Sequence, residues 1–212
     1  LPDGSDLTRI QDGVNKHRPG YDLTFSAPKS VSMLAMLGGD KRLIDAHNRA
    51  VTVALNQVES LASTRVKKDG VSETVLTGNL IIARFNHDTS RAQDPQIHTH
   101  SVVINATQNG DKWQTLASDT VGKTGFSETI LANRIAFGKI YQNSLRADVE
   151  SMGYKTVDAG KNGMWEMEGV PVESFSTRSQ ELREAAGPDA SLKSRDVAAL
   201  DTRKSKEAID PA

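Results

Sequence analysis

The eight residues Ile97-His98-Thr99-His100-Ser101-Val102-Val103-Ile104 constrain this chain more than any other stretch. Val, Ile and Thr dominate it and Gly and Pro are absent, which is the composition of a strand. On a strand, residues i and i+2 share a face, so His98 and His100 project side by side while Thr99 points away. A second strand-like run, Leu80-Ile81-Ile82-Ala83-Arg84-Phe85, precedes it across a polar connection, Asn86 to Gln96, that contains Pro95. Antiparallel pairing of the two runs lays the end of the first beside the start of the second. His87, just past that end, then arrives next to His98.

The rest of the pattern supplies a frame for those strands. Tyr21-Asp22-Leu23-Thr24-Phe25-Ser26 alternates with period two, turning Leu23 and Phe25 toward a core and Asp22, Thr24 and Ser26 toward a polar face. Pro28 opens a helix that Gly38-Gly39 stops, and Asp40 caps a long amphipathic helix over 41–63. Strands at 64–68 and 71–76 flank the Asp69-Gly70 turn, and a short strand near Trp113–Leu116 follows Asn109-Gly110. One long helix runs from Phe126 to Val149. A hairpin around Asn162-Gly163 and two charged helices, roughly 172–186 and 193–206, complete the chain. Hairpin-connected strands with helices between them predict an α+β fold, an antiparallel sheet with helices packed on one face. Residues 1–153 form its core and 154–212 a hairpin and helical annex of the same domain.

Composition removes several function classes. With 26 Lys+Arg against 27 Asp+Glu the formal net charge is -1, so a polyanion must meet a local patch rather than a basic surface. The absence of Cys excludes disulfides, thiolate zinc sites and cysteine nucleophiles. No stretch approaches the roughly 18 consecutive apolar residues of a membrane helix, and no secretory signal is visible, so a soluble cytoplasmic protein is expected. The opening Leu1-Pro2-Asp3-Gly4 lacks an initiator Met and reads as part of something longer.

Three neutral imidazoles, His87, His98 and His100, converging on one point make a metal site with open positions, as a catalytic metal needs. The competing interpretation is two exposed strand histidines beside an unrelated loop histidine. Asp22, on the polar side of its strand, is placed to accept the second ring N–H of a ligating His. His17 and His47 read as surface or satisfied core residues. Val121-Gly122-Lys123-Thr124 resembles the end of a phosphate loop, but Ala117 stands where the first Gly belongs, so it is read as an ordinary loop. On the third long helix Arg134 and Gln142 lie within about 80° of each other and are candidate base readers, against simple solvent exposure. Arg84 and Arg91 flank the histidines as candidate phosphate clamps, although surface ion pairs explain them equally well. Lys193, Arg195, Arg203, Lys204 and Lys206 offer a phosphate-tracking surface or a solvated face, and Trp113 and Trp165 a stacking platform or core.

Taken together, Tyr21-Asp22-Leu23-Thr24-Phe25-Ser26-Ala27-Pro28-Lys29-Ser30-Val31-Ser32, His87-Asp88-Thr89-Ser90-Arg91 and Pro95-Gln96-Ile97-His98-Thr99-His100 resemble the conjugative relaxases of the TrwC/TraI type, most of all the branch of F-like plasmids. The likeness extends over nearly the whole chain. Those proteins are histidine-hydrophobe-histidine endonucleases with a palm-like sheet; here Thr99 replaces the middle hydrophobe. The resemblance implies site- and strand-specific nicking and rejoining of single-stranded DNA at a plasmid transfer origin through a 5′-phosphotyrosine. It also implies Mg2+ or Mn2+ held by His87, His98 and His100, Asp22 orienting one of them, accessory proteins of the transfer complex, and a downstream helicase portion. In this family the attacking tyrosines precede the Tyr-Asp-Leu-Thr-Phe-Ser motif. Tyr21, Tyr141 and Tyr154 are poor substitutes, so the nucleophile is expected upstream. A water-activating phosphohydrolase, a rolling-circle initiator and a non-catalytic single-stranded DNA-binding module are the alternatives.

Overall fold

The computed structural model describes residues 4, 7, 10–119 and 121–186. A small ribbon, β1 (Ile10–Gln11) and β2 (Val14–Asn15), precedes β3 (Gly20–Ser26), α1 (Lys29–Met36) and α2 (Arg42–Glu59). The hairpin β4 (Ser63–Lys68) and β5 (Val71–Leu76) follows, then β6 (Ile82–Thr89) and β7 (Pro95–Ile104). A short hairpin, β8 (Thr107–Asn109) and β9 (Lys112–Gln114), leads to α3 (Phe126–Ala132) and α4 (Arg134–Ser151). The hairpin β10 (Thr156–Asp158) and β11 (Trp165–Met167), a 3-10 turn at Val172–Phe175 and α5 (Thr177–Ala186) end the described chain. The second charged helix expected at 193–206, with its five basic residues, lies outside the described residues.

The fold is α+β, as expected. Its main sheet is antiparallel with order β3-β7-β6, so the histidine strand is central. One face, carrying Phe25, Ile97, Thr99 and Val103, is buried. Helix α2 presents Leu43, Ala46, Ala50, Val51, Ala54, Leu55 and Val58 at helical spacing, and α4 adds Tyr141, Leu145 and Val149. These residues build the core behind the sheet. At Asp69-Gly70 both residues have positive φ, 50° and 82°, which suits the right-handed twist of the β4–β5 hairpin. At Gly20 a Cβ would collide with the backbone carbonyl of Val103, so only glycine lets β3 close onto β7 there.

Two expectations about local structure are corrected. Helix 126–149 is broken at Asn133, whose side-chain amide donates to the Thr129 carbonyl at 2.9 Å and competes with continuation of the helix. Strand β6 runs on through the polar segment to Thr89, so His87 lies within the strand rather than past its end. The start of α1 is capped from a distance. Glu166 on β11 accepts from the backbone N–H of Lys29 and Ser30, at 3.3 and 2.8 Å, and from the Ser30 hydroxyl. Trp165 and Met167 beside it are buried in the main core, so β11 is packed into the same body as the sheet.

No helix among the described residues is long and apolar enough to cross a membrane.

Candidate metal centre

The solvent-facing side of the sheet carries the site. Register pairs His87 with His98, Ser26 with His98, and Thr24 with His100, which puts Ser26, Thr24, Asp22 and all three histidines on one face. The ring centroids of His87, His98 and His100 are 5.1, 5.4 and 5.3 Å apart. A bulge between His87 and Thr89 ends the regular pairing just beyond the site.

Two of the rings have their tautomers set. His98 Nδ1 donates to the Gln96 carbonyl at 2.9 Å, and His100 Nδ1 donates to Asp22 Oδ2 at 2.7 Å, with Thr24 Oγ1 at 3.2 Å. In the neutral ring each therefore keeps its Nε2 lone pair for another partner. Partial burial, aided by the neighbouring His87 and His100, pulls His98 below the usual imidazole range and favours that neutral form.

Among the described residues, no three or more His, Asp or Glu side chains stand already gathered as a metal site. The ring orientations give the reason. His87 and His98 are stacked at an interplanar angle of 19°, presenting faces to each other rather than two nitrogens to one point, while His100 stands edge-on to both. The spacing nevertheless fits a metal. In the plane of three centroids so placed the equidistant point is about 3.0 Å from each, and a ring nitrogen about 2.1 Å from a metal puts its centroid about 3.2 Å away, a distance reached about 1 Å off that plane.

The other candidate residues are dispersed. Arg84 lies on the opposite face, its guanidinium donating to Thr52 Oγ1 and the Asn48 carbonyl of α2 at 2.9 and 3.1 Å. Arg91 follows the bulge, at an exposed turn position. Arg134 begins α4 and is exposed, on the rim of a cavity of about 380 Å³ between β3 and α3–α4 that also reaches Asp22 and Thr24. Gln142 is buried; its amide donates to the Ser26 carbonyl at 3.2 Å, and its Oε1 has no partner among the described residues. Trp165 is core and Trp113 half-buried. The 121–124 segment is a loop held by Asp119, which accepts from Gly122 N–H and the Thr124 hydroxyl. Tyr141 is buried against His47, Tyr154 donates to Asp40 at 2.8 Å, and Tyr21 faces Phe126 behind the sheet.

Two residues near the site escaped sequence reasoning. Phe85, directly across from His100 in register, is 54% exposed on the histidine face. Its place at an odd position of the Leu80–Phe85 run was the available signal. His47 is fully buried beneath the site, with Nδ1 2.7 Å from the Tyr141 hydroxyl and Nε2 2.7 Å from Thr99 Oγ1.

Burial, with the charges of Arg84 and His98, pushes His47 down to about 4, from 6.5 in the unfolded chain. Between those values the unfolded state holds the extra proton, so stability rises with pH and is lost as pH falls from 6.5 toward 4. The loss through this group is expected to reach about 3 kcal/mol, and His47→Gln should remove that slope from urea melts taken across the window.

The fold and this face define an α+β protein with a histidine cluster on the open side of a three-stranded antiparallel sheet. A family model described as TrwC relaxase matches residues 1–212, and the chain belongs to that family. It is 75% identical over 211 residues to a multifunctional conjugation protein TraI of Escherichia coli and 71% identical to that of strain K12. The chain spans 12% of the length of these relatives. Among solved structures it is similar to conjugative relaxase TrwC in complex with oriT DNA, in metal-free form, with 33% identity, a TM-score of 0.83, and coverage of 98% of this chain and 74% of that one. A metal-bound form of the same complex gives 33% identity, a TM-score of 0.82, and coverage of 98% and 72%.

Proposed function

We propose that the chain is the metal-bearing part of a relaxase that nicks and rejoins one strand of plasmid transfer-origin DNA in the cytoplasm. The observation that carries this is the clustering of His87, His98 and His100, with Asp22 on His100, on an open face of the sheet. These three imidazoles would hold Mg2+ or Mn2+. Neutral ligands leave the ion its full charge to polarise a phosphate and offset charge developing on its oxygens.

The chain's own residues do the positioning. Asp22 fixes His100 with Nε2 outward, and the Gln96 carbonyl does the same for His98. Phe85 offers an aromatic face beside His100 on which a nucleobase can stack, and base–aromatic stacking tolerates any sequence. Arg134, at the cavity rim near Asp22, is the base reader that the placement favours; Gln142 would have to leave its buried bond to Ser26 to reach a base. Tyr141, Tyr154 and Tyr21 are engaged with His47, Asp40 and Phe126 away from this face, which supports an attacking tyrosine supplied from outside these 212 residues. Transfer-complex accessory proteins and a helicase portion belong to the same proposal.

Incubating a labelled single-stranded transfer-origin oligonucleotide with Mn2+ separates the readings on a denaturing gel. A version carrying the upstream family tyrosines is expected to form a covalent protein–DNA adduct, while the 212-residue chain binds without one. A hydrolytic product with no adduct from either would instead make the site a water-activating nuclease.

A further inference from the structure

Behind the histidine face runs a directed chain of hydrogen bonds, buried at Tyr141, His47 and Thr99 and exposed at Asn86. Thr99 Oγ1 donates to Asn86 Oδ1 at 2.7 Å, which leaves its lone pair for the N–H of His47 Nε2, also at 2.7 Å. With its proton on Nε2, His47 accepts at Nδ1 from the Tyr141 hydroxyl, again at 2.7 Å. Asn86 then donates through Nδ2 to Asn48 Oδ1 at 3.2 Å, returning the chain to α2 one residue beyond its start. Each of these bonds matches a donor to an acceptor, and for the buried Tyr141, His47 and Thr99 such matching is the condition under which a polar network stiffens a structure. Burial pushes the Tyr141 hydroxyl well above its ordinary range, so it stays a donor.

The two sheet residues in this network are placed with purpose. Thr99 is the residue between His98 and His100, and Asn86 immediately precedes His87. They are paired across β6 and β7 in register. Through them one imidazole on α2 touches the backbone neighbours of all three histidines. A valine would fill the same β-branched shape at position 99, so the hydroxyl, rather than the volume, is what the network uses.

We infer that His47 is a positioning residue for the metal centre, acting through Thr99 and Asn86 to hold β6 and β7 at the register and depth that bring His87, His98 and His100 together. The inference rests on the metal reading above. It also explains why threonine stands at position 99.

Co2+ titrated into the chain supplies the test, because its visible spectrum reports ligand number and symmetry without any catalytic turnover. The wild-type chain is expected to give a spectrum that His98→Ala abolishes. Thr99→Val should bind Co2+ about tenfold more weakly, with an altered band, when the folded fraction in the same sample is fixed by circular dichroism. His47→Leu should do the same, and His47→Gln, whose amide can both donate to Thr99 and accept from Tyr141, should recover most of the affinity. Wild-type affinity and spectrum in Thr99→Val and His47→Leu would overturn the positioning role while leaving the metal centre standing. No Co2+ spectrum in the wild-type chain, or one indifferent to His98→Ala, would remove the metal centre and the positioning role with it.

Discussion

Replacing His98 with alanine is expected to abolish divalent-metal binding and to slow adduct formation on transfer-origin DNA by roughly a thousandfold, since a metal's charge stabilisation is worth several kcal/mol and each 1.36 kcal/mol is tenfold. The central position of β7 explains the size of the effect. His98 sits on the central strand between Ser26 and His87, both on the site face, and its Nδ1 is already committed to Gln96. Asp22→Asn should act more weakly, about tenfold on metal affinity, because it disturbs the partner of His100 Nδ1 and leaves the ligand in place. The measurements are Mn2+ binding by electron paramagnetic resonance and adduct yield on denaturing gels, made on the protein that carries its upstream tyrosines. Unchanged Mn2+ binding in His98→Ala would mean that the histidines are not ligands.

Trp165→Ala is expected to destabilise the chain by about 3–5 kcal/mol. The ring is 1% exposed, its Nε1 donates to the Gln142 carbonyl at 3.2 Å, and it sits in one core cluster with Leu145 and Val31. The next residue, Glu166, supplies the cap of α1, so displacing β11 also uncaps the helix that follows β3. Urea melts read the loss directly, and a change below about 1 kcal/mol would show that β10–β11 is peripheral to the core. The expected loss is large because the hairpin contributes buried aromatic surface to the sheet's own core.

Much of this arrangement was legible in the residues. The period-two pattern of Tyr21–Ser26, the β-branched run after His98, and the apolar spacing of α2 each reported a local preference that the fold agrees with. The neighbourhood of His87 and His98 also followed, because a hairpin between consecutive strands leaves little choice of partner. What escaped was set by contacts distant in sequence. Asn86-His87-Asp88 is polar and reads as a loop, yet pairing with β7 extends the strand through it. Asn133 breaks a continuous apolar pattern through one side-chain bond to Thr129. Gln142 looked like a surface reader amid apolar residues, and the packing of Ser26 and Trp165 buried it instead.

Local chain chemistry was enough for most of the strands and helices and for the sharing of one face by His98, His100 and Asp22, since side-chain direction on a strand follows from the backbone's own period. The remainder came from long-range packing. It brought His47, 52 residues from Thr99, under the site, and it capped α1 with a glutamate 136 residues from Ser30. It also turned Arg84 away from the histidines onto α2. Those outcomes depend on which elements meet when apolar faces are buried. No local pattern encodes such a meeting, because the free energy that selects it belongs to the packed whole.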